Sequence, residues 1–139
     1  MIRVETSPEL INAISNMDAV REGVCYKDGA MDWAPAFPPA ITGIIVLSNG
    51  EDACGVFVPT SDRTYQVHTL FAPTCRGKRA VETGREMLAH MKRYADRIWG
   101  ATPVKNCAAR WFNRQLGAMP ENRDVYAAEG EVEIFTLEL

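Results

Sequence analysis

A chain of 139 residues, 47% of them apolar, is long enough to bury one substantial core and too short for two, so residues 1–139 are expected to form a single domain. Its net charge of −3 argues against binding nucleic acid by bulk electrostatics, because phosphate recognition needs clustered cations; a site for a polyanion must be local. The apolar runs are short and the start lacks the basic, apolar, small-residue layout of a signal peptide, so no membrane partner is expected and the implied location is cytoplasmic.

In chain order, Ile2-Arg3-Val4-Glu5 alternates as a short strand does. Ser7-Pro8-Glu9 then supplies an N-cap, a first-turn proline and a first-turn acid, and Leu10, Ile11 and Ile14 give that helix a buried stripe. From Asp18 to Ala40 the periodicity is poor, and Pro35, Pro38 and Pro39 exclude a continuous helix or a central strand. The middle is β structure. Ile44 to Leu47 is a continuous apolar run, Asn49-Gly50 signals a type I′ hairpin, and Cys54 to Val58 returns as its partner. Thr60 to Arg63 makes the next turn, and Tyr65 to Phe71 forms a third strand that ends before Pro73.

Beyond that proline the period changes. Ala80, Val81, Met87, Leu88, Met91 and Ala95 share one face of a long helix from about Arg76 to Tyr94. Ile98 to Ala101 reads as a buried strand, Asn106 to Leu116 as an amphipathic helix stopped by Gly117, and Val125 to Ala127 and Val132 to Leu137 as closing strands. The order is that of an α/β protein with a mixed, mostly antiparallel central sheet flanked by helices.

Cys25, Cys54, Cys75 and Cys107 form no CxxC pair, and His68 and His90 lie far from any metal-ligand spacing, so neither zinc nor a disulfide framework is suggested. Cys75 and Cys107 have no recognisable histidine partner and read as small buried or capping residues. The run Arg76-Gly77-Lys78-Arg79 opens the long helix directly after a strand. Such a junction aims unpaired backbone N–H groups and the positive end of the helix dipole at one point, which suits a pyrophosphate, although the same run also makes an ordinary solvated turn.

The element order, with Leu70-Phe71-Ala72-Pro73-Thr74-Cys75-Arg76-Gly77-Lys78-Arg79-Ala80, resembles the GCN5-related N-acetyltransferase family, well over Thr42 to Gly117 and by topology alone at the two ends. Arg76, Gly77 and Lys78 match its phosphate loop, while Arg79 and Val81 stand where small residues are usual. The resemblance implies acetyl-CoA as co-substrate and no metal. It places the cofactor along Leu70, Phe71 and Ala72 and over Arg76, Gly77, Lys78, Arg79, Ala80 and Val81, with Asn106 bonded to the pantetheine arm. Asn106 also suits a plain helix start. Asn113 occupies the position of a tyrosine that protonates the departing thiolate in many members, and an amide cannot act as that acid; Ala118 replaces a usual aromatic. For a base, His68 is the histidine on the strand leading to the loop, and its face is not fixed by alternation alone. Trp33 and Phe37 can line an acceptor pocket or simply pack. Two functions follow: acetyl transfer to an unidentified amine, or, by similarity to small acetyltransferase-like proteins of short-tailed bacteriophages, a non-catalytic role with an assembly partner in the host cytoplasm or virion.

Overall fold

The computed structural model describes residues 1–23 and 29–139. Cys25 lies outside the described residues. The elements run β1 (Arg3–Val4), α1 (Glu9–Ser15), α2 (Asp18–Gly23), a 3-10 turn (Ala34–Ala36), α3 (Pro39–Thr42), β2 (Ile45–Ser48), β3 (Ala53–Ser61), β4 (Thr64–Phe71), α4 (Gly77–Met91), β5 (Arg97–Pro103), α5 (Cys107–Gln115), β6 (Met119–Tyr126) and β7 (Gly130–Glu138). The strands form one mixed sheet in the order β1-β2-β3-β4-β5-β7-β6. Every pairing is antiparallel except β4 with β5, which α4 joins as a crossover.

Each face of the sheet carries its own core. Phe57, Phe71, Met87, Met91, Ile98 and Phe135 pack on the side of α4 and α5, and Ile11, Ile14, Val46, Val56 and Leu70 on the side of α1. Glycines set two close approaches. A methyl group at Gly84 on α4 would lie 3.0 Å from Phe112 of α5, so the missing side chain lets the helices meet, and the same absence at Gly55 admits the Met87 sulfur at 3.0 Å.

Several expectations need correction in detail. Ser7 does not cap α1; Pro8 stands at the N-cap and no side chain bonds there. The poorly periodic segment holds two short helices, α2 and α3, on either side of the 3-10 turn. Asn49-Gly50 does begin a hairpin connection, but not a type I′ turn. Gly50 has a φ of 80°, Asn49 is not left-handed, and the Asn49 Oδ1 instead accepts the N–H groups of Glu51, Asp52 and Ala53. The strand expected at Val125 to Ala127 is the end of the longer β6. Its polar, exposed residues mask it because it is an edge strand, and Pro120 is tolerated beside a register shift.

Candidate functional site

The parallel pair makes the site. β4 and β5 are in register only at Thr64–Arg97, Tyr65–Ile98 and Gln66–Trp99, and past those residues they diverge. The ladder to β3 fixes which backbone groups the divergence releases. Ala72 donates its N–H to the Asp52 carbonyl, so by antiparallel alternation the even positions of β4 bond to β3 while Val67, Thr69 and Phe71 turn theirs toward the gap. A cavity of about 680 Å³ fills the opening, lined among others by Val67, His68, Thr69, Phe71, Thr102, Asn106 and Phe112.

The α4 entrance stands at one side of this groove. Arg76 is its N-cap with extended backbone and no side-chain cap bond, Gly77 has a left-handed φ of 59°, and the first turn holds no acid. The first-turn N–H groups are therefore open to a ligand. Arg76 and Gly77 line the groove, and the Arg76 Nη1 donates to the Phe71 carbonyl at 2.6 Å, tying the loop to the released strand edge.

Not every expected residue reaches this place. Ala80 lines the groove, whereas Leu70, Ala72 and Val81 bury their side chains, Leu70 and Ala72 on the α1 side of the sheet. Lys78 is exposed and meets Glu82 at 3.9 Å. Arg79 turns away altogether: its Nη2 bonds to Glu51 and Asp52 at 3.0 Å each, clamping α4 to the β2–β3 loop. Burial works to raise the Asp52 carboxyl, but bonds from Asn49, Thr74 and Arg79 outweigh it and hold the acid below its ordinary range. The third expected cation is thus engaged elsewhere.

Asn106 caps α5, its Oδ1 accepting the Ala109 N–H at 3.1 Å, so only its amide Nδ2 faces a ligand as a donor. Asn113 is buried on the groove wall and donates to the Thr102 hydroxyl at 2.9 Å, bonding α5 to β5. Trp33 and Phe37 do not line the groove. They pack against the α1-side core, with the Trp33 indole N–H bonded to Ser15 at 2.7 Å.

Leu70, two residues along β4, lies in the α1-side core, and the His68 partner Val56 lies there too; this parity assigns His68 to the same face. His68 is exposed, with the walls of the groove beside it. Burial lowers its pKa from the ordinary histidine value, and the charge of Glu129 pulls weakly the other way. Glu129, in the β6–β7 turn, and Glu22, on α2, also line the groove; nothing local in the sequence marks either. Burial pushes the Cys54 thiol up to about 12, whereas Cys107 is exposed at the start of α5. Among the described residues no group of three or more His, Cys, Asp or Glu side chains is arranged for a metal, and no helix is long and apolar enough to cross a membrane.

No protein-family profile matches this sequence, and no curated protein does. Solved structures do. The aminoglycoside acetyltransferase AAC(6')-Ib in complex with coenzyme A and kanamycin superposes with a TM-score of 0.77 at 12% identity, over 99% of this chain and 94% of that one. Spermidine N-acetyltransferase from Vibrio cholerae, in complex with CoA and spermine, gives a TM-score of 0.77 at 12% identity over 99% and 94%. Ribosomal-protein-alanine N-acetyltransferase from Brucella melitensis gives 0.73 at 18% identity over 100% and 99%. The sheet order, the opened parallel pair and the crossover helix are therefore the fold of acyl-CoA N-acyltransferases of the GCN5-related type.

Proposed function

We propose that this chain is a single-domain, acetyl-CoA-dependent N-acetyltransferase acting on an amine. The observation that carries the reading is the uncapped, acid-free entrance of α4 beside the strand edge that β5 leaves open. Arg76, at the N-cap, lines the groove beside that entrance and offers an anion a cationic partner. Solved structures of the same fold support it, since AAC(6')-Ib has been captured with acetyl-CoA and the Vibrio cholerae enzyme with CoA and spermine.

The co-substrate supplies a thioester, whose carbonyl carbon bonds to the amine nitrogen as the C–S bond breaks and the thiolate leaves. The residues of this chain position and polarise. The first-turn N–H groups of α4 and the Arg76 guanidinium face the pyrophosphate, the N–H groups on the gap side of β4 near Thr69 and Phe71 hydrogen-bond the pantetheine arm and the acyl oxygen, and the Asn106 Nδ2 adds a donor from α5. His68, whose pKa the neighbouring protein lowers from the ordinary histidine value, accepts the proton lost by the amine. The departing thiolate takes its proton from solvent, because the Asn113 amide is bonded to Thr102 and is no acid.

That last point is the observation favouring the second reading, a non-catalytic assembly protein that keeps the fold. Thermal unfolding with and without acetyl-CoA separates them. Ligand at a hundred times its Kd adds about 2.7 kcal/mol to native stability and raises Tm. An unchanged Tm at millimolar acetyl-CoA refutes the transferase.

A further inference from the structure

The charges lining the groove are sorted by element. Its cations, Arg76 at the head of α4 and Lys105 between β5 and α5, flank the expected cofactor side. Its carboxylates, Glu22 and Glu129, come from α2 and the β6–β7 turn, neither of which contributes to the α4 entrance. These acids also differ from others in the molecule. Glu5, Glu51, Glu133 and Glu138 are each matched to an arginine. Glu22 and Glu129 enter no ion pair or hydrogen bond among the described residues, and Glu129 is half-buried. A partly dehydrated carboxylate without a cation costs stability, and a cationic ligand in the same cavity removes that cost.

Resting on the acetyltransferase reading, we propose that Glu22 and Glu129 select an acceptor with at least two amines and hold the ammonium group that does not react. The attacking nitrogen must be neutral. A carboxylate beside it favours the ammonium form and slows attack, so these two acids serve a second, permanently charged nitrogen better than the first. Glu129 and His68 line the same groove, so one ligand can present one nitrogen to each.

The test is titration calorimetry of 1,4-diaminobutane and butylamine into the full chain saturated with coenzyme A. The wild type binds the diamine at least about tenfold tighter than the monoamine, the scale of one well-placed charge pair. Glu129→Gln weakens the diamine about tenfold and Glu22→Gln weakens it less, with the monoamine and the acetyl-CoA-induced Tm shift unchanged; the double variant loses the preference. Equal binding of the two amines by the wild type, or a preference that survives in Glu22→Gln/Glu129→Gln, overturns the assignment while leaving the transferase reading intact. Absence of an acetyl-CoA-induced Tm shift in the wild type overturns both.

Discussion

If the α4 entrance binds a pyrophosphate through its backbone, Gly77→Val must weaken acetyl-CoA binding far more than Lys78→Ala. A side chain at Gly77 would meet no atom within 4 Å, so the cost is not a clash in the free protein. It is conformational: a φ of 59° costs an L-residue roughly 1–2 kcal/mol, and a β-branched one at least that. The loop escapes by rotating Gly77 out of the left-handed region, which re-aims the N–H groups that follow. We expect a stability loss of about 1–2 kcal/mol and a Kd raised about tenfold or more. The Lys78 side chain is 90% exposed and its partner Glu82 is 3.9 Å away, so its removal changes Kd within about threefold at physiological salt. Calorimetry with acetyl-CoA on both variants, with urea unfolding to confirm that each is native, decides it. A Lys78→Ala loss equal to that of Gly77→Val would show that side-chain charge, not loop shape, makes the site.

At Gly100, a methyl group would lie 2.6 Å from the Phe135 ring and 3.2 Å from the Val67 carbonyl, so Gly100→Ala should cost about 1–3 kcal/mol in urea unfolding; a change under half a kcal/mol would contradict the packing. Asn113→Ala leaves the buried Thr102 hydroxyl without its bond and should cost about 1–3 kcal/mol, part of which Thr102→Val recovers in the double variant. Burial lowers the His68 pKa from 6.5, so the acid limb of kcat/KM falls below pH 6.5, and Glu129→Gln, which removes the opposing charge, moves it lower still; an upward move refutes the pairing. Because the native ring then binds fewer protons than the unfolded one, His68 makes stability rise with pH through the window just below 6.5.

The fold was legible wherever periodicity and breakers agreed. α4 announced itself through Ala80, Val81, Met87 and Met91, and β2 to β4 through apolar runs separated by turn residues. β6 was mostly hidden, because an edge strand turned to solvent on both faces carries no alternation. At the site, the local signals survived and the long-range ones did not. Arg76 and Gly77 sit at a strand–helix junction that any reading of the chain can find. The engagement of Arg79 depends on Glu51 and Asp52, residues brought near by the β2–β3 hairpin, and nothing around Arg79 itself foretells it. The same holds for Glu129, whose place on the groove comes from β7 pairing with β5. The face of His68 became assignable only once Leu70 was seen in the α1-side core.

Several features around the groove are ones a purely structural protein has little reason to keep. A left-handed residue at a helix entrance, a parallel pair whose bonding stops after three positions, and a half-buried carboxylate with no ion pair among the described residues each reduce stability. Gly77, the released edge of β4 and Glu129 all border one groove, which the proposed ligands would fill with an anion at the α4 side and a cation at Glu129. Asn113 belongs to a different class, because its bond to Thr102 stabilises the fold whether or not anything binds. Its presence removes a general acid without closing the groove, and a CoA thiolate is a fair leaving group unaided. The loss of one proton donor therefore weighs less than the retention of several costly groups aimed at one place, and that balance supports the proposed transferase over the proposed assembly protein.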